Sequence, residues 1–157
     1  MRIVTSELLD AVTAQAAASP RGRKNHNFHP ADDFCCHRLL NAMEPGSYIQ
    51  PHRHLDPSKD ESMVVLRGAL GIVSFGDDGA VAHARILRPG SDAVAVDIPH
   101  GEFHTVLSLA PGTVFFEAKA GPYLPLAAAE KAPWAPAEGE PAAQDYLASL
   151  AALFPAS

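Results

Sequence analysis

Cysteine is almost missing from this chain of 157 residues: there are two, side by side at Cys35 and Cys36. That count excludes a disulfide-stapled scaffold and a zinc site of four cysteines. In a strand the pair would point to opposite faces, so we read both as small packing residues rather than a redox pair. Positive charge is also scarce. Twelve Lys and Arg against 18 Asp and Glu leave a net charge of −6 and a pI near 5.7, which argues against nucleic acid as a partner. No apolar run approaches the roughly 18 residues of a membrane span. The opening Met1-Arg2-Ile3-Val4-Thr5-Ser6-Glu7 has no apolar signal core. The expectation is a cytoplasmic protein with reduced thiols. A domain of ~150 residues buries roughly 68–70% of its unfolded surface, so a core forms without staples.

What the chain does have is 8 His, 14 Pro and 11 Gly. The breakers divide it into short pieces. Residues 6–18 read as a helix with Ser6 as N-cap and Leu8, Leu9 and Val12 on one stripe. Arg21 to Pro30 reads as a basic, irregular segment. Short apolar runs follow at Phe34–Met43, Tyr48–His54, Glu61–Arg67, Ala69–Phe75, Val81–Leu87, Ala93–Ile98, Phe103–Leu109 and Thr113–Lys119. Eight short strands separated by turn residues predict a mainly β sandwich or jelly-roll barrel. Gly121 to Gly139 reads as a Pro/Ala-rich extended arm, anchored by Trp134. Pro141 to Phe154 reads as a terminal helix with Tyr146, Leu147, Leu150 and Leu153 on its apolar face. The expected organisation is one domain: helix and basic connector at 1–30, barrel at 31–120, arm and terminal helix at 121–157.

The chemistry concentrates between Gly46 and Gly68. His52 and His54 are two apart on an extended segment, so both rings leave one face. Glu61 opens the next strand. Downstream, the turn Pro99-His100-Gly101-Glu102-Phe103 leads to His104, which a third strand can bring to the same point. Three imidazoles and a carboxylate suit one divalent transition ion (Fe, Mn, Ni, Zn or Co), with positions left for water or substrate. Asp60 is the alternative acid but points to the opposite face of the strand. Gly46, Gly68, Pro99 and Gly101 are turn-formers.

These residues resemble the two motifs of the cupin superfamily. The first is carried by Gly46, His52, His54, Glu61 and Gly68, and the second by Pro99, Gly101 and His104. The spacer between His54 and Glu61 is longer than the family's, Ser108 stands where an Asn is common, and Gly90 lies further before Pro99. A closer resemblance runs through Arg23-Lys24-Asn25-His26-Asn27-Phe28-His29, His37-Arg38-Leu39-Leu40-Asn41, Pro51-His52-Arg53-His54 and Val64-Val65-Leu66-Arg67-Gly68. Those runs are similar to the WbuC-family cupin-fold metalloproteins, named from O-antigen polysaccharide gene clusters. The resemblance implies a double-stranded β-helix barrel that binds metal, carries a helical N-terminal extension and pairs as a homodimer. It implies no established reaction.

Strand periodicity names the pocket walls. Tyr48 and Gln50 share the face of His52 and His54, Met63 that of Glu61, and Ser108 that of His104. Arg23, Lys24 and His26 either form a lid over an anionic ligand group or belong to a solvated connector. Arg53 points outward, toward a salt bridge or a dimer contact. The leading reading is a metal-dependent enzyme on a sugar or sugar nucleotide, isomerase- or epimerase-like, with His100 or Glu102 as base. An Fe(II) dioxygenase and a non-catalytic, metal-stabilised sugar-binding module are the alternatives.

Overall fold

A computed structural model gives the fold, and the structure describes residues 1–155. The last two residues of the expected 121–157 segment therefore lie outside the described residues. The chain begins with helix α1 (Ser6–Ala17). Eight strands follow: β1 (Arg23–Asn27), β2 (Cys36–Met43), β3 (Glu61–Arg67), β4 (Leu70–Phe75), β5 (Val81–Leu87), β6 (Ala95–Ile98), β7 (Phe103–Ser108) and β8 (Thr113–Ala120). Helix α2 (Ala143–Ala151) closes the described chain. One sheet runs β1-β2-β8-β3-β6 and a second runs β5-β4-β7, with every pairing antiparallel. This is a jelly-roll barrel.

The barrel core lies between the sheets, where Met43, Met63, Val65, Leu70, Ile72, Leu87, Ile98, Val106 and Phe115 meet. Each such side chain removed from water stabilises the fold by about 1.5–3 kcal/mol. β3 alternates buried and exposed residues, as a strand with one solvated face should. β4 and β7 are buried at every position. Their outer face is covered by the C-terminal segment, whose Ala132, Ala135, Leu147, Leu150 and Phe154 pack on Val73, Phe75, Phe103 and Leu107. On the other sheet α1 seals β2 and β8 through Val12 and Ala16 against Leu40, Ala42 and Val114.

Five local expectations change. Thr5, not Ser6, caps α1, its side chain accepting from the Leu8 amide. Residues 23–27 form an edge strand rather than an irregular segment, paired from Arg23↔Met43 to Asn27↔Leu39. A polar edge strand carries no apolar alternation to reveal it. Tyr48–His54 is no strand of its own: it makes single bridges, His52 to His104 on one side and to Lys131 on the other. Leu153 is exposed, and Phe154 takes its place in the core. Cys35 and Cys36 are exposed free thiols, so neither is a packing residue.

The turn between β3 and β4 shows why its residue is glycine. Gly68 has φ +77°, and a Cβ there would come within 2.8 Å of the Thr113 Cα. Both the left-handed backbone and the close approach exclude a side chain. Gly68→Ala is expected to lower unfolding free energy by about 2 kcal/mol or more, read by denaturant titration. A loss under about 0.5 kcal/mol, the range of neutral surface changes, would contradict this account.

Candidate metal centre

Backbone pairing places the imidazoles. The His52 amide donates to the His104 carbonyl at 3.0 Å and the His104 amide returns the bond at 2.9 Å. Their ring centroids lie 4.8 Å apart, and that of His54 lies 5.4 Å from His52 and 6.2 Å from His104. Glu61 enters at the start of β3, between Ile98 of β6 and Lys119 of β8. It is 2% exposed. The donor atoms of His52, His54 and Glu61 lie within 4.8 Å of one another. His54 Nε2 is 2.8 Å from Glu61 Oε1, and His104 Nε2 is 3.3 Å from Glu61 Oε2.

The donor set fits a cation. His52 Nδ1 is 3.1 Å from the Gln50 carbonyl and His104 Nδ1 is 2.9 Å from the Glu102 carbonyl. A carbonyl can only accept, so in each neutral ring Nδ1 carries the hydrogen and Nε2 keeps its lone pair. The outer hydrogen bond that orients a ligating histidine is thus in place on both rings. His104 Nε2 faces a carboxylate oxygen, and either a proton or a cation can stand between the two. Burial, reinforced by His104 and opposed by Glu61, pushes His52 down to about 3, so it is neutral at pH 7. Burial alone would raise Glu61. Contacts with His104, His54 and Lys119 outweigh it and hold the carboxyl well below its ordinary range.

A cavity of about 220 Å³ opens beside this cluster, with His52, Glu61, His104, Met63, Arg23 and Glu117 among its walls. Arg23 is committed elsewhere as well, to Glu138 at 2.7 Å and the Tyr48 carbonyl at 3.0 Å. The other pocket candidates go to different tasks. The Tyr48 ring is buried in the core beneath the C-terminal segment, and its hydroxyl donates to the Pro136 carbonyl. Gln50 donates to the Ala132 and Ala135 carbonyls, so it fastens the C-terminal segment. Ser108 caps a turn through the Ala110 carbonyl. His100 is exposed and held by Asp60. Glu102 lines another cavity, with Ser74, His83 and His104. Lys24 is exposed, and His26 packs edge-on to Phe28. Arg53 does point outward, pairing with Asp77 and covering the Phe103 ring. Trp134 packs on Phe75 and Phe103.

Among the residues of this cavity that sequence reasoning missed are Asn41, Glu117 and Lys119. Glu117 is 7% exposed and receives Asn41 Nδ2 at 2.6 Å. Lys119 Nζ lies 2.5 Å from Glu61 Oε1 and 2.8 Å from Glu117 Oε1. Burial opposes the ammonium charge, but the two carboxylates prevail and raise the Lys119 pKa. The signal was the phase of β8: Phe115, Glu117 and Lys119 alternate on one face, so charge stands in step with a core aromatic.

A family model described as a domain of unknown function (DUF6016) matches residues 4–87. The chain belongs to this DUF6016 family. No curated protein is similar in sequence. Among solved structures, the DUF6016 chain is similar to KdgF from Halomonas sp., with TM-score 0.51 and 22% identity over 68% of this chain and 84% of that one. It is also similar to an oxalate oxidase in complex with the substrate analogue glycolate, with TM-score 0.50 and 18% identity over 66% of this chain. The match spans 53% of that oxidase. At these identities the likeness establishes the cupin fold. Among the described residues no helix is long and apolar enough to cross a membrane.

The protonation states give a pH prediction for chelator-treated protein. His52 folds with its pKa at about 3 against an ordinary 6.5. Between those values the unfolded chain holds more protons, so stability falls as pH falls. Glu61, depressed in the folded state, adds to the loss at lower pH. Thermal unfolding of the metal-free protein should therefore drop in midpoint from pH 7 to pH 5, and less steeply in His52→Gln. Parallel pH slopes for the two proteins would contradict the assignment.

Proposed function

We propose that this chain is a metal-dependent enzyme that takes a small polar ligand, such as a sugar, into the barrel cavity for isomerase- or epimerase-like chemistry. His52, His54, Glu61 and His104 would together hold one divalent transition ion. The supporting observation is that His104 Nε2, on a ring oriented by a backbone carbonyl, and His54 Nε2 both face one buried carboxylate on the wall of a cavity that His52 also lines. A divalent ion bound there acts as a Lewis acid toward a carbonyl or lowers the pKa of a water.

The remaining chemistry belongs to the chain. Such a reaction needs a base beside the ligand, a role the sequence offered to His100 or Glu102. Glu117 is better placed, because it lines the same cavity as His52, Glu61 and His104, whereas the cavity of Glu102 has only His104 of that set. Asn41 holds one of its oxygens and Lys119 sits beside the other. Glu117 thus takes the proton from a ligand carbon or hydroxyl and returns it. Apolar walls from Ile49, Met63, Val106 and Phe115 exclude water around that transfer. At about 220 Å³ the cavity is smaller than the ~300–1,000 Å³ of drug-sized ligand sites. It admits a ligand of single-sugar size, and any nucleotide portion lies outside. The O-antigen setting implied by the WbuC resemblance suits such a ligand. In a homodimer, the exposed Val64 and Leu66 of β3 supply apolar contact surface.

The test is a thermal-shift screen of Mn- or Zn-loaded protein against monosaccharides and sugar nucleotides, with NMR of each stabilising compound to read turnover. Glu117→Gln should keep its metal and lose about 10²–10⁴ in turnover, the usual worth of a proton-transfer group. Wild-type turnover in that variant would remove Glu117 from the reaction. Stabilisation without any turnover would favour the binding-module reading, and oxygen consumption by iron-loaded protein the dioxygenase.

A further inference from the structure

The two oxygens of Glu61 have different surroundings. Oε1 receives Lys119 Nζ at 2.5 Å and faces His54 Nε2 at 2.8 Å. Oε2 faces His104 Nε2 at 3.3 Å. Lys119 is itself fixed, because its ammonium also lies 2.8 Å from Glu117 Oε1. Asn41 holds Glu117 in turn. The resulting chain, Asn41 to Glu117 to Lys119 to Glu61, runs along the cavity wall and ends on the carboxylate of the proposed metal set. Lys119 also borders a second cavity, of about 330 Å³, which His52 and His54 line and the 122–127 segment covers. Lys119 thus stands between the two cavities and against the carboxylate of the proposed metal set. An apolar side chain would fill the wall without the cost of burying charge.

Resting on the metal-site reading above, we propose that Lys119 is a positioning residue for the metal carboxylate. It occupies Glu61 Oε1, leaves Oε2 as the one carboxylate oxygen offered to the ion, and by its charge keeps the ion from binding too tightly. The physical argument is twofold. A carboxylate oxygen engaged by an ammonium is a poorer metal donor, which disfavours coordination through both oxygens. A fixed positive charge next to a cation site repels its occupant, and strongly so where water is scarce. A site set in this way keeps coordination positions free for a ligand from the cavity.

Cobalt(II) is the probe, because its visible absorption reports coordination number. Wild type, Lys119→Met, Lys119→Arg and His52→Ala are titrated by calorimetry and absorption, with melting temperatures alongside. Lys119→Met is expected to bind Co(II) about tenfold more tightly or better, as loss of a nearby unit charge implies. Its absorption should weaken as the second carboxylate oxygen joins. Lys119→Arg should stay within about threefold of wild type, since it keeps the charge at Glu61. If Lys119→Met fails to fold, Lys119→Met with Glu117→Gln removes the Glu117 charge that Lys119 had balanced and should still bind Co(II) more tightly than wild type. Unchanged affinity and spectrum with only a lowered melting temperature would make Lys119 a structural ion pair and overturn the proposal. Weaker binding in Lys119→Met would overturn it too. Failure of the metal reading has a separate signature: no Co(II) bound by wild type, or His52→Ala binding as wild type does.

Discussion

Glu61 is a carboxylate taken almost wholly out of water, at 2% exposure, and the interior of this barrel is organised around that fact. An ionised carboxylate in such a place costs several kcal/mol unless charge and hydrogen bonds surround it. Here it faces two imidazoles and an ammonium. Each partner makes its own demand. His104 must be brought over by β7 and locked to His52 through paired backbone bonds. His52 and His54 must stand on a segment flanked by His104 and Lys131. Lys119, itself partly buried, needs Glu117, and Glu117 needs Asn41. Placing one acid inside the barrel therefore conditions residues on β2, β3, β7 and β8 at once.

The C-terminal segment belongs to this arrangement. Gln50 fastens it through two carbonyls, and the Arg53 amide donates to the Glu130 carbonyl. It covers the outer face of β4 and β7 and supports the segment that presents His52 and His54. An isolated extended stretch could not hold two imidazoles in fixed directions. Packing on one side and a bridge on each edge give it the rigidity of a sheet without a full ladder. The pocket residues expected at Tyr48 and Gln50 are thus spent on holding the site's support in place.

Much of this was legible in the sequence, and the reason is local. β3 to β8 begin and end within about two residues of the boundaries that turn chemistry suggested, because glycine and proline punctuate them. The His-x-His spacing, Glu61 at a strand start and His104 after a tight turn identify a cluster that the structure brings together. What was not legible depends on partners far along the chain. β1 is polar on both faces and exists because β2 offers an edge. Tyr48 shares a periodic face with His52, but the C-terminal segment claims it through Pro136. Glu117 and Lys119 stand on the last strand, far in sequence from Glu61, and it is β3 that places Glu61 opposite Lys119.

The central claim is that the buried acid and the three imidazoles form one cation site. Crystals of protein purified without chelator and soaked in Zn(II), measured on both sides of the zinc edge, test it most directly. The account predicts a single strong anomalous peak about 2.0–2.2 Å from the Nε2 atoms of His52, His54 and His104 and from one oxygen of Glu61. An empty cluster with Glu61 still bridged to His54, His104 and Lys119, or a peak held by other residues, would contradict it.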